Sequence, residues 1–285
     1  MKIGLTLFAC DRGITPAQAA VAAEERGFDS FYVPEHTHIP TNRATAHPAT
    51  GDETLPDDRY MRTLDPWVSL ASAASVTSRI RLGTCVCLPV EHDPISLAKT
   101  IASLDHLSGG RVQLGVGFGW NLEEMADHGV PVGRRRAVLR DYLQAMQTLW
   151  RDDVAAYEGD YVRFGPSWAW PKPMQTPRIP ILVGAFGNEK LFDWIVQCAD
   201  GWITTPIEEY LGGSITGLRA KWADAGRAGE PQIVALETTA GKRLAEYSRL
   251  GVSEALLSIP DVDRDQALRH LDRLADRIQD YRSVG

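Results

Sequence analysis

Short apolar runs alternate along this chain with amphipathic stretches whose apolar positions recur every three or four residues. Residues 3–8 form the first apolar run, a buried strand. Thr15-Pro16-Ala17-Gln18 then opens a helix with a capping threonine, a proline in the first turn and a glutamine placed for a capping box. That helix stops at Gly27, and residues 28–33 form the second strand. Asp65-Pro66 and Asp93-Pro94 repeat the cap-then-proline device. Between them residues 80–88 form the third strand, and after the second Leu97, Ile101 and Leu104 share one helix face. Ser108-Gly109-Gly110 ends that helix, and Val112, Leu114 and Val116 alternate as a fourth strand.

The second half follows the same rhythm. Residues 134–150 form a long helix whose main stripe is Val138, Tyr142, Ala145, Met146 and Leu149. Leu139, Leu143 and Trp150 widen it beyond what packing on one sheet demands, so either the next insertion or a second subunit covers the surplus. Strands follow at 181–183, 202–205, 233–236 and 255–259, with Asn188 capping the helix after the fifth strand. A last amphipathic helix carries Leu268, Leu271, Ala275 and Ile278. Strand-helix alternation implies parallel strands joined by right-handed crossovers. Eight such units over residues 1–285 predict a single α/β domain, a (β/α)8 TIM barrel, with insertions after strand two (to Arg62) and strand four (152–180). Within the second insertion, Tyr157-Glu158-Gly159-Asp160-Tyr161 reads as a hairpin turn.

Composition narrows the functional class. A length of 285 residues suffices for a core without disulfide or metal staples, and a formal charge of −7 speaks against nucleic acid or an anionic membrane as partner. Cys10, Cys85, Cys87 and Cys198 are scattered without metal-ligand spacing, as buried thiols in a reducing compartment would be. With no signal-like leader and no long apolar run, the expected location is cytoplasmic.

In a barrel, chemistry sits at the carboxyl ends of the strands. Glu35, His36 and His38 follow strand two. A metal reading of His36-Thr37-His38 needs further histidines from later strands, yet none lies between His128 and His270, so no metal is expected. No nucleophile elbow is present either. The glycine loops Gly117-Phe118-Gly119-Trp120-Asn121 and Gly184-Ala185-Phe186-Gly187-Asn188 follow adjacent strands. Gly115, Gly117 and Gly119 at every second position imply close approach to the backbone, either by a bound ring or phosphate or by a tight strand exit. The second loop opens a helix, where backbone N–H groups favour an anion.

The chain resembles the bacterial luciferase-like flavin and deazaflavin oxidoreductases. The resemblance rests on Leu64-Asp65-Pro66-Trp67, Thr77-Ser78-Arg79-Ile80-Arg81-Leu82-Gly83-Thr84, Leu104-Asp105-His106-Leu107-Ser108-Gly109-Gly110-Arg111, Pro171-Lys172-Pro173-Met174-Gln175 and Ala199-Asp200-Gly201-Trp202, in family order. The nearest likeness is to short members that use coenzyme F420. It implies a barrel, commonly a homodimer, with a non-prolyl cis peptide at Cys85-Val86 backing the cofactor ring. Thr84, Cys85 and Val86 then become ring contacts, residues 117–121 flank the cofactor, and residues 184–187 hold its phosphate, with Asn188 beside them among the cofactor-binding residues. It also places a functional histidine at His36, after Glu35, as catalytic acid or as cofactor-orienting group. The implied activity is hydride transfer between F420 and a small organic molecule. The alternative is a two-component monooxygenase using reduced FMN, and a barrel that only binds is the third class. Substrate choice would fall to residues 43–60 and to Trp168-Ala169-Trp170.

Overall fold

A computed structural model describes residues 1–205, 208–237, 239–260 and 262–284. Eight parallel strands close into a barrel: β1 (Lys2–Leu7), β2 (Ser30–Val33), β3 (Arg81–Thr84), β4 (Val112–Gly117), β7 (Ile181–Gly184), β8 (Gly201–Thr204), β9 (Gln232–Glu237) and β10 (Glu254–Ile259). β10 pairs with β1 and closes it. The hairpin expected after strand four is present as antiparallel β5 (Ala155–Glu158) and β6 (Arg163–Ser167), outside the barrel.

The helices begin where the caps place them. α1 (Pro16–Glu25) has both halves of the Thr15–Gln18 capping box. Asp65 caps α2 (Pro66–Ala74) and Asp93 caps α3 (Pro94–Leu107), each through the backbone N–H three residues on. α4 (Leu122–Asp127) and α5 (Arg135–Arg151) follow β4, and Asn188 caps α6 (Glu189–Cys198). α7 (Glu208–Asp224), α8 (Leu244–Leu250) and α9 (Arg264–Val284) complete the outer ring.

The apolar side chains divide into two layers. Most fill the space between barrel and helices, whereas Tyr32, Leu182, Ile203, Val234 and Leu256 fill the barrel itself. Cys85, Val86 and Leu236 pack on top of this inner plug at the carboxyl end. The surplus stripe of α5 is covered within the chain: Leu139 and Leu143 are fully buried and Trp150 nearly so, its Nε1–H donating to Ala98 O at 2.9 Å. The apolar groups left at the surface are others, chiefly Leu107 (82 % exposed) and Trp168 (81 %).

Arg111 locks the turn before β4. Its guanidinium donates to Ser108 O, Thr77 O, Thr77 Oγ1, Ile80 O and Ala74 O, which ties α2, β3 and α3 together. Asp105 ties the second insertion to the same place, accepting from Met174 N and Gln175 Nε2 at 2.8 and 2.7 Å.

Candidate active site

After β3 the chain does not continue as a plain strand. The peptide between Cys85 and Val86 is cis, and Cys87 returns to β4, its N–H bonded to Gly115 O at 2.8 Å. Side chains on the facing strands would obstruct this bulge. A Cβ on Gly117 would lie 2.5 Å from Val86 Cγ2, one on Gly184 would meet Val86 Cγ1 closer still, and one on Gly115 would run into Thr84 O. The alternate glycines thus do mark a close approach, but the approaching group is the protein's own third strand. Only Gly119, at φ +73°, needs glycine for its backbone.

The bulge raises an apolar floor under a cavity of about 620 Å³ at the carboxyl end of the barrel. Cys85, Val86 and Leu236 belong to this floor, which continues into a smaller recess of about 220 Å³ beside Gly184, Ala185 and Phe186. The long loop after β2 closes the opposite side with His47 and Tyr60, and Trp120 descends from the loop after β4. His47 stands edge-on to both, at ring separations of 4.9 Å to Tyr60 and 4.7 Å to Trp120. The environment is dry enough that burial first, and then the neighbouring His36 ring and the Arg43 guanidinium, push the His47 pKa down.

His36 faces this cavity with its ring fixed at both nitrogens. Nδ1 lies 2.9 Å from Glu124 Oε2, and Nε2 accepts from Trp120 Nε1–H at 3.3 Å. With Trp120 donating to Nε2, the Nδ1 proton is the one directed at Glu124. Glu124 is fully buried on α4 and also accepts from Thr37 N at 2.8 Å, His38 N at 3.4 Å and Asn121 Nδ2 at 3.3 Å. Burial alone would raise its pKa, but the bonds from His36 and from the Thr37 and His38 amides hold it below the ordinary value. A second carboxyl, Glu91, is buried beside it at the end of the 3-10 turn Pro89–Glu91. Burial first, and then the charges of Glu124 and Glu35, push its pKa up to about 9, so at neutral pH Glu91 is a carboxylic acid.

Several residues expected at the site serve elsewhere. Glu35 turns away from His36, as successive residues of an extended segment do. Its carboxylate accepts from Leu88 N at 2.5 Å and pairs with His92 Nε2 at 2.7 Å. Burial of His92 works against its charge, yet this carboxylate raises its pKa overall. Glu35, expected from the sequence as a catalytic partner of His36, instead holds the chain just beyond the bulge, its carboxylate spent on Leu88 N and His92. With Cys87, whose pKa burial and the Glu35 charge push well up, the three side chains are close enough to suggest a metal cluster. The short Glu35–His92 contact is a hydrogen bond, and a thiol kept neutral is a poor ligand.

Thr84 does not reach the cavity either. Its Oγ1 donates to Gly115 O at 2.7 Å and accepts from Gly115 N at 3.1 Å, stitching β3 to β4. Phe118 is buried against Trp194 at 5.4 Å under the Arg136 guanidinium, and Gly119 sits over Met125. Gly187 lies against the Trp202 ring, whose Nε1–H donates to Ala185 O at 2.8 Å. Asn188 caps Leu191 N at 3.0 Å. Asn121 is buried with Oδ1 unpartnered. Of the predicted cofactor contacts, Cys85, Val86, Trp120, Gly184, Ala185 and Phe186 border the cavity or its recess.

Glu124 and Glu91 were not singled out from the sequence, whereas His47 and Tyr60 lie within the 43–60 stretch expected to set substrate choice. Asn121-Leu122-Glu123-Glu124 has the spacing of a capping box, and that is where the signal for Glu124 lay. Here Asn121 makes no side-chain cap bond, and Glu124 points inward.

An uncharacterized protein of Mycobacterium tuberculosis (strain ATCC 25618 / H37Rv) is 61% identical over 279 residues, covering 98% of this chain and 99% of its own. An F420-dependent glucose-6-phosphate dehydrogenase of Kineococcus radiotolerans is 33% identical over 193 residues, 66% of this chain but 51% of its own length. Among solved structures, a monooxygenase from Streptomyces bottropensis superposes with a TM-score of 0.78 at 20% identity, over 99% of each chain. An F420-dependent secondary alcohol dehydrogenase in complex with an F420-acetone adduct gives 0.75 at 17% identity, over 97% of this chain and 98% of its own. These two likenesses establish the barrel fold. The profile of the luciferase-like monooxygenase family matches residues 16–281, and the chain belongs to that family.

Proposed function

We propose that the protein is an oxidoreductase that uses coenzyme F420 to reduce, or in reverse oxidise, a small organic substrate. The observation that carries this reading is the His36 ring, clamped by Glu124 and Trp120 at the wall of a cavity whose floor is the Cys85–Val86 bulge. That floor fits a flat tricyclic ring, because the missing side chains at Gly117 and Gly184 let Val86 rise into a continuous apolar surface with Leu236. Residues 184–188 would take the phosphate at the start of α6. F420, when bound, supplies a hydride donor or acceptor that reacts little with oxygen. The protein's own part is placement and a proton. Glu124 fixes the Nδ1 edge of His36, and a substrate oxygen would take the place of the Trp120 N–H at Nε2. There the imidazole takes the hydroxyl proton as the hydride leaves in oxidation and, as imidazolium, returns it in reduction. The F420-dependent relatives support this cofactor over FMN.

Binding followed by F420 fluorescence tests the first half, and anaerobic turnover of reduced F420 tests the second. His36→Ala is expected to keep F420 affinity within about threefold and to lose on the order of 10²–10⁴ in turnover. Unchanged turnover would remove His36 from the chemistry. Oxygen consumption with reduced FMN, and no reaction with F420, would replace this reading by the monooxygenase one.

A further inference from the structure

The rim above the floor carries an unusual charge arrangement. Three arginines lie in the loops after β1 and β2, and each is paired in bidentate fashion with an aspartate of the same rim. Arg59 Nε and Nη2 hold Asp57 at 2.9 and 2.6 Å, Arg62 Nε and Nη2 hold Asp11 at 2.6 Å each, and Arg12 holds Asp58 at 2.8 and 2.5 Å. Arg43 donates to Thr45 O at 2.9 Å and to Glu53 O while its guanidinium lies 5.5 Å from the Trp120 ring. Arg59 is the one lysine or arginine bordering the cavity among the described residues, and its charge is matched by Asp57. The residues outside the description (206, 207, 238, 261 and 285) include no lysine, arginine or histidine.

The histidines do not make up the difference. His36 is committed to Glu124 and Trp120, and burial lowers the pKa of both His47 and His270. Behind the same wall stand the buried carboxyls of Glu35, Glu91 and Glu124. A phosphate on a substrate held among these side chains would meet one bordering guanidinium, Arg59, whose charge Asp57 already matches, with buried carboxyls behind it, so it would lose its hydration for little compensation. What the wall does offer is aromatic: His47, Tyr60 and Trp120 at mutual ring separations of 4.7 to 6.3 Å, with Phe8 4.8 Å from Tyr60. Such a surface holds an uncharged ring or short alkyl body.

We infer that the substrate is an uncharged, compact carbonyl compound or its alcohol, and that the pairing of Arg59 with Asp57 at the cavity wall disfavours phosphorylated substrates. This rests on the F420 reading for the chemistry, but the selectivity belongs to the protein's own side chains. The test is ligand-observed saturation-transfer NMR on the full chain loaded with F420, which would fill the anion site at residues 184–188, with the cofactor-free chain run alongside. The probes are cyclohexanone, glucose and glucose 6-phosphate. Cyclohexanone is expected to bind at least about tenfold more tightly than glucose 6-phosphate, and Tyr60→Ala to weaken cyclohexanone by about threefold or more. Equal or tighter binding of glucose 6-phosphate overturns the inference. So does binding of glucose in preference to cyclohexanone, binding of none of the three, or an unchanged cyclohexanone affinity in folded Tyr60→Ala. F420 binding measured separately by fluorescence keeps the two failures apart: its loss would sink the cofactor reading while leaving the probe comparison to decide this one.

Discussion

Glu91→Gln is the most informative single change to the buried acid pair. Gln is nearly isosteric, can still accept from Thr37 Oγ1, which stands 3.4 Å from Glu91 Oε2, and carries no proton to lose. The Glu91 carboxyl faces Glu124 on α4, Glu35 after β2 and its neighbour His92, with His38 and His128 further along the Thr37 hydroxyl. The charged groups on the helices packed against its turn have partners elsewhere. Asp93 caps Ser96 N, Asp141 accepts from Tyr157 and the Tyr161 and Val162 amides, and Arg135 donates to Val132 O.

In the unfolded chain Glu91 ionises near 4.5, whereas burial and the two neighbouring carboxylates hold it protonated to about 9 in the fold. Between those values the folded state keeps a proton that the unfolded state has released. Wild-type stability therefore falls as pH rises through that window, by about 1.4 kcal/mol per pH unit from this group. Gln removes the slope. From pH 6 to pH 8 the stability of Glu91→Gln relative to wild type should grow by about 3 kcal/mol. For a chain of this size that is a relative gain of roughly 5 °C in Tm. Thermal unfolding of both proteins at the two pH values measures it. A difference that stays constant between pH 6 and pH 8 would show that Glu91 ionises in the fold as it does in the unfolded chain, and the protonated pair would be refuted.

Other residues give further checks. Glu124→Gln should leave His36 Nδ1 facing a neutral amide in place of a carboxylate, and a lost charge-assisted hydrogen bond of about 1.5–3 kcal/mol corresponds to roughly a 10–150-fold loss of turnover if it acts on the reaction. F420 affinity measured in parallel should stay near wild type. Gly117→Ala should cost about 1–3 kcal/mol in urea unfolding, because the added methyl meets Val86. Adding Val86→Ala should recover part of that loss, and failure to do so would mean the two do not compete for the same space. Arg111→Lys keeps the charge but cannot reproduce the fork to five acceptors, so a loss of about 1–3 kcal/mol is expected, read by the same unfolding curves.

Most of the fold was legible because its signals are local. Proline follows each cap at Thr15, Asp65 and Asp93, and each helix begins there. The glycines at 115 and 117 were legible as a close approach but not in what approaches. Val86 comes from another strand, and nothing near Gly117 in sequence encodes it. Glu124 was hidden for a related reason: the Asn121-x-x-Glu124 spacing describes a surface cap equally well, and only the tertiary arrangement brings it to His36, 88 residues away. Glu35 misled in the opposite direction, since adjacency to His36 in sequence puts its side chain on the other side of the strand exit. His47, Tyr60 and the rim ion pairs lie in a loop without period. The Arg12–Asp58 and Arg62–Asp11 partners are 46 and 51 residues apart, so no spacing rule finds them.

Anaerobic mixing of the purified protein with F420 and with FMN, each followed by its own fluorescence, tests the central claim most directly when repeated on Val86→Asp. F420 should bind to wild type, and a charge placed on the apolar floor should weaken it by at least about tenfold while the barrel stays folded. Binding of FMN alone, or F420 binding indifferent to Val86→Asp, would contradict a deazaflavin seated on the Cys85–Val86 bulge.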